Sequence, residues 1–75
     1  MKEKKLIQDI EKFVLDTLAS DKYQGLRYNT HVPMKVNISF ILASLADSPL
    51  ISGKGVSFQE HGVYKDQRVI RIFFP

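Results

Sequence analysis

Leu6, Ile7, Ile10, Phe13, Val14 and Leu18 recur at three- and four-residue spacing. That interval lines side chains up on one stripe of an α-helix and predicts a first helix over Lys2 to Ser20. Its other side carries Lys5 with Asp9, and Glu11 with Asp16 nearby, charges at helical-neighbour spacing that mark a solvated surface. Ser20-Asp21 and Gly25 supply stop signals, and Tyr23 and Leu26 are placed to fold back onto the stripe. Residues 26 to 32, Leu-Arg-Tyr-Asn-Thr-His-Val, alternate β-branched or aromatic with polar side chains. They read as a short strand or extended segment, with a brief helix as the competing reading.

A second apolar stripe follows at Val36, Ile38, Ile41, Leu42 and Leu45, widened by Phe40 and Ala43. Pro33 suits the first turn of a helix, where its missing N–H costs nothing, so the pattern predicts a helix over about 33 to 47 with Thr30 or His31 near its cap. Ser48-Pro49 would end it, because proline cannot continue the ladder. Ser52-Gly53-Lys54-Gly55 reads as a turn, and Val56 to His61 alternates with the period of two of a half-buried strand. Residues 62 to 67 form the tip, with Lys65-Asp66 the expected turn, and Arg68 to Phe74 returns. With Val56 and Phe58 inward, the natural partners are Ile70, Ile72 and Phe74, which leaves Val69, Arg71 and Phe73 on the opposite face. A one-residue slip would instead pair Glu60 with Arg71 and Phe58 with Phe73, exchanging the faces, and the sequence does not fix that register.

The elements add up to an α+β fold of order α-β-α-β-β with a C-terminal β-hairpin, spanning residues 1 to 75 as one domain. A 75-residue chain removes only roughly 60% of its unfolded surface from water, so little stability is in hand and a dimer or a docked partner would add to it. The chain has no Cys, which excludes disulfides and thiolate metal sites and favours a cytoplasmic location. Apolar runs are only a few residues long, too short for a membrane span or a signal-peptide core, so a soluble, untargeted protein is expected.

Charge alters this picture through its placement. The net charge is only +3. Lys2, Lys4, Lys5 and Lys12 are outnumbered up to residue 21 by Glu3, Asp9, Glu11, Asp16 and Asp21, whereas from residue 22 Lys22, Arg27, Lys35, Lys54, Lys65, Arg68 and Arg71 face only Asp47, Glu60 and Asp66. The basic excess therefore belongs to the second half, the part expected to meet a polyanion.

A helix ends at Leu45, an acidic step follows at Asp47, then the pair Leu50-Ile51 and a basic hairpin with Lys65, Arg68 and Arg71. In this order residues 36 to 74 resemble the recognition helix and wing of winged helix-turn-helix proteins, a likeness that implies a small winged-helix-like domain. It implies double-stranded DNA as partner, with RNA second, and the role of a regulator or replication accessory of the kind mobile elements and phages encode. Asn37 would read a base, flanked by Lys35 and Ser39, while Lys54, Lys65, Arg68 and Arg71 would hold phosphates. The segment before Pro33 spells no clear middle helix, which departs from the family pattern. Were residues 26 to 32 to join the hairpin as a strand, the chain would look like nucleic-acid-binding domains of the Alba type without their first strand. RNA would then be met by the sheet and hairpin.

A non-enzymatic protein-interaction module is the alternative, in which Tyr64, Val69, Phe73 and Phe74 form an apolar patch for a partner or a second copy. Only one of the adjacent Phe73 and Phe74 can face the core. His31 and His61, with Glu60 beside the latter, fall short of a ligand spacing, so no metal or cofactor is expected. Ser and Thr lack a glycine-framed elbow. Gly53 and Gly55 bracket Lys54 before a strand, where a phosphate loop needs a helix. No catalytic residue, and no enzyme, is expected.

Overall fold

The apolar stripe of the first segment builds helix α1, Lys2–Leu18, with Ile10 and Val14 buried in the core. Leu6, Ile7, Phe13, Leu15 and Leu18 pack around them, half-buried. The computed structural model describes residues 2–20 and 22–75, with Lys2 described by its backbone alone. The helix closes two residues earlier than predicted. At its end the Ala19 N–H donates to the Leu15 carbonyl and the Ser20 N–H to the Thr17 carbonyl. The Ser20 hydroxyl then accepts the Lys22 N–H. Asp21, part of the predicted stop signal, lies outside the described residues. Tyr23 and Leu26 do fold back onto the core.

Residues 26 to 32 are settled as strand. Strand β1, Arg27–Pro33, pairs antiparallel with β3, Gln67–Phe73. The latter pairs on its other edge with β2, Ser57–Tyr64. The sheet order is β1-β3-β2, so β3 is central. Phe58 stands opposite Ile72 and Gln59 opposite Arg71, the inward parity expected from Val56 and Phe58; the slipped register is not adopted. Ile70 and Ile72 are fully buried beneath the helices, and Phe74 continues inward against Phe13 and Tyr23, with ring centroids 6.3 and 6.4 Å away. Both helices cover this one face. No helix among the described residues is long and apolar enough to cross a membrane.

Helix α2 is shorter than predicted, Ile38–Ala46 instead of 33 to 47. Pro33 ends β1, where an edge strand tolerates a missing donor, and it does not open a helix. Neither Thr30 nor His31 is near a cap. Asn37 is the N-cap: its side-chain oxygen accepts the Phe40 N–H at 3.1 Å, satisfying one of the donors a helix start leaves open. The Asn37 N–H itself donates to the Glu3 carboxylate at 3.0 Å. In a capping box the residue three places along the same helix takes that role; here Phe40 occupies that place and Glu3 of α1 substitutes, which ties the two helix starts together. At the other end the Asp47 N–H caps the Ala43 and Leu45 carbonyls. Ser48 is buried, donating to the Glu11 carboxylate and accepting the Leu50 N–H. Glu11 thus anchors the exit from α2 as well as belonging to the charged side of α1.

The predicted hairpin tip at 62 to 67 contracts. Strand β2 runs on through a bulge between Glu60 and Val63, with Gly62 at φ +91°, the left-handed region glycine enters without penalty. Only Lys65 and Asp66 remain as the turn, at φ 49° and 63°. Positive φ at both centres is the signature of the type I′ hairpin turn.

Two stability consequences are expected. Ile70→Ala removes a fully buried side chain from the central strand and should lower unfolding stability by about 2–5 kcal/mol, read as a drop in the urea midpoint; a loss below about 1 kcal/mol would contradict the packing described. Replacing Lys65-Asp66 with Asn-Gly relieves left-handed backbone at non-glycine residues and should stabilise by about 1 kcal/mol. In a domain of this size that raises Tm by about 4–8 °C, and an unchanged or lower Tm would refute it.

Candidate nucleic-acid interface

Because both helices pack on the face of Ile70 and Ile72, the opposite face of the sheet is open. The period of two assigns its residues: Val69, Arg71 and Phe73 on β3, Arg27, Asn29 and His31 opposite them on β1, and Ser57 and Gln59 on β2. The bulge extends this set. Glu60 pairs with Ile70 and Val63 with Arg68, so His61 and Gly62 together stand against Val69. The extra residue flips the alternation, and Tyr64 arrives opposite Gln67, on the same side as Arg71. An unbroken strand would have turned Tyr64 to the helices.

Across the width of β3 the rings of His31 and Tyr64 lean together to a centroid distance of 5.9 Å, although strands two places apart are about 10 Å from each other. They roof Val69, which is only 5% exposed despite facing away from the core. Tyr64 itself remains 56% exposed. A cavity of about 390 Å³ opens here, lined by Asn29, His31, His61, Val63, Tyr64 and Val69. Beside it the Arg71 Nε donates to the Asn29 side-chain oxygen at 3.0 Å. This bond anchors the guanidinium at Nε, and its terminal nitrogens have no partner among the described residues. Further along, the Arg27 guanidinium lies 5.7 Å from the Phe73 ring centroid. At the hairpin end the Lys65 ammonium is 5.4 Å from the Tyr64 ring centroid.

The sign of the face is unbalanced. The three strands contain a single carboxylate, Glu60, and it bonds the Arg68 guanidinium at 3.1 Å on the helix side of the sheet, opposite Ile70. Asp9 and Asp16 pair with Lys5 and Lys12 along α1, behind the sheet. The open face therefore presents Arg27 and Arg71 with no acid among them.

The residues singled out from the sequence are divided by this geometry. Arg71 lies on the open face and Lys65 at its rim. Arg68 does not project as a wing cation. It points to the other side, held by Glu60 and by the Met34 carbonyl at 3.2 Å. Lys35 is in the turn between β1 and α2, outside the helix, and of the three residues assigned to base reading only Ser39 stands within α2, exposed in its first turn beside Phe40. Asn37 cannot present its oxygen to a base while that atom caps α2. Lys54 sits before β2, where Gly55 abuts Pro75, at the end of the sheet remote from the hairpin turn. Of the alternative patch, Tyr64, Val69 and Phe73 share the open face, but Phe74 is buried in the core and leaves it. Arg27, Asn29, His31, Gln59 and His61 were not assigned together. The alternation Arg27, Asn29, His31 against Tyr28, Thr30, Val32 carried the signal for three of them; the bulge that adds His61 and Tyr64 has only Gly62 as a trace.

No family model, no curated protein and no solved structure matches this chain.

Proposed function

We propose that the protein binds nucleic acid across the open face of its three-stranded sheet and the rim of the β2–β3 hairpin. The observation that carries this reading is the charge of that face: Arg27 and Arg71 lie on it, its strands' one carboxylate is turned away to Arg68, and aromatic rings stand between the cations. A polyanion gains from every guanidinium and meets no strand carboxylate on that face, Asp66 of the hairpin turn being the acid at its rim, and the attraction is largely sequence-independent because it acts on phosphates. Arg71, pre-oriented by Asn29, is the principal phosphate contact, with Arg27 and Lys65 beside it.

The winged-helix form of the reading, with α2 entering the major groove, has less support. The exposed positions of α2 are Ser39, Phe40, Ala43 and Ala46, a surface without a cation, and Asn37 is occupied as a cap. The protein-interaction alternative draws on Tyr64 and Val63, both more than half exposed. It predicts association that is indifferent to salt.

Binding measured against salt separates these readings. The affinity of the wild-type chain for oligonucleotides should fall linearly in log–log form as salt rises, with a slope near −0.7 to −0.9 per phosphate contact. Arg71→Ala and Arg27→Ala should each weaken binding and flatten the slope by about one contact. Arg68→Ala should leave the slope unchanged, since its guanidinium is engaged by Glu60. Absence of binding at low salt, or a slope that responds to Arg68 and not to Arg71, would refute the proposed surface.

A further inference from the structure

The geometry points to an unpaired nucleobase as the group recognised: we infer that the cavity lined by His31, His61 and Tyr64 receives one base of a single-stranded nucleic acid, stacked on the His31–Tyr64 ring pair, while Arg71 holds an adjoining phosphate. This inference rests on the nucleic-acid reading above and narrows it from nucleic acid in general to single strands.

The cavity has the features a planar heteroaromatic ring requires. The His31 and Tyr64 rings already meet across β3 and cover Val69, 5% exposed, so the base is received on the outward faces of this ring pair, with His61 and Asn29 lining the same cavity. At about 390 Å³ it falls at the small end of the about 300–1,000 Å³ range of ligand sites. Flat aromatic walls stack with any base, because every base offers a π-face. Asn29 adds an edge contact. Its side-chain oxygen already accepts from Arg71, so the amide group that remains is a pure donor, directed to base acceptors such as ring nitrogens or carbonyl oxygens. The same hydrogen bond fixes Arg71 next to the cavity mouth, so that base and phosphate contacts are placed by one pair of side chains. A base stacked inside a duplex cannot enter this cavity without being extruded, which costs a few kcal/mol. Single strands pay no such penalty, and that difference is the source of the preference.

The competing surfaces carry less. The groove between α1 and α2 lined by Ile7, Phe40 and Pro49 is apolar, with nothing to define its occupant. The pair His31 and His61 supplies too few ligands for a metal on its own, whereas as ring walls both are used together with Tyr64, Asn29 and Val69.

The test compares fluorescence anisotropy of labelled single-stranded DNA, single-stranded RNA, an abasic strand of the same length, and the DNA duplex, all at one low salt concentration. Both natural single strands should bind at least about tenfold more tightly than the duplex and the abasic strand. Tyr64→Ala should remove about tenfold from single-strand binding and leave duplex binding within about twofold, while Tyr64→Phe, which keeps the ring, should bind as wild type. Tyr64 is 56% exposed at the end of a strand, and far-UV circular dichroism of the variants establishes that the sheet is retained. His31→Ala gives a second loss, from the other ring of the pair. Equal binding of DNA and RNA strands places recognition in base and phosphate, and a tighter RNA complex adds a contact to the 2′-hydroxyl; either agrees with the inference. Should the duplex or the abasic strand bind as tightly as the natural single strands, with Arg71→Ala weakening all of them, the base site is overturned and the phosphate-binding face stands. Should no oligonucleotide bind, both readings fall together.

Discussion

Strand β3 is hydrogen-bonded along both edges, and every other feature of the molecule is arranged around that fact. A central strand has no free ladder groups, so its inward residues can be wholly apolar and its outward ones are supported on both sides. Ile70 and Ile72 are fully buried, while Arg71, between them in sequence, stands on the opposite face and meets Asn29. One seven-residue strand therefore holds both the core and the cationic surface, separated only by the pleat. With both helices on the same side, the sheet has one dry face and one wet face, the ordinary outcome for an antiparallel sheet of this size.

The bulge in β2 converts that simple pattern into a site. By setting His61 and Gly62 against Val69, it exchanges the alternation for the last residues of the strand and brings Tyr64 to the wet face. Two consequences follow from the one inserted residue. Val69 gains a roof of rings on a face that would otherwise leave it in water, and the same rings line a cavity. Gly62, at φ +91°, is the position where this change is made at low conformational cost.

Charge is distributed by a similar logic of sides. The carboxylates are drawn to structural tasks: Glu3 at the start of α2, Glu11 at its exit, Glu60 on Arg68. Each lies on the helix side or at its margin. The open face retains its arginines without acids, an asymmetry much larger than the net charge of +3 conveys.

The first helix, the hairpin, its Lys65-Asp66 turn and the inward set of Phe58, Ile70, Ile72 and Phe74 were legible in the chain. All of them express local periodicity: 3.6 residues per turn or two per pleat, read within one segment. The start of α2 was not legible, because Pro33 and Asn37 are both plausible openings and the choice depends on β1 pairing through Pro33 and on Glu3 reaching the Asn37 N–H from 34 residues away. The candidate site was half legible. Arg71 and Phe73 followed from alternation in β3, and Arg27, Asn29 and His31 had the same signature. Which bases are engaged and which are open was decided only in three dimensions, since a charge is neutralised by whatever carboxylate the fold brings within reach, as Glu60 is brought to Arg68 and not to Arg71. Periodicity fixes which way a side chain points along its own element; its neighbours across the sheet are set by register, bulge and topology, and these come from the packing of the whole chain.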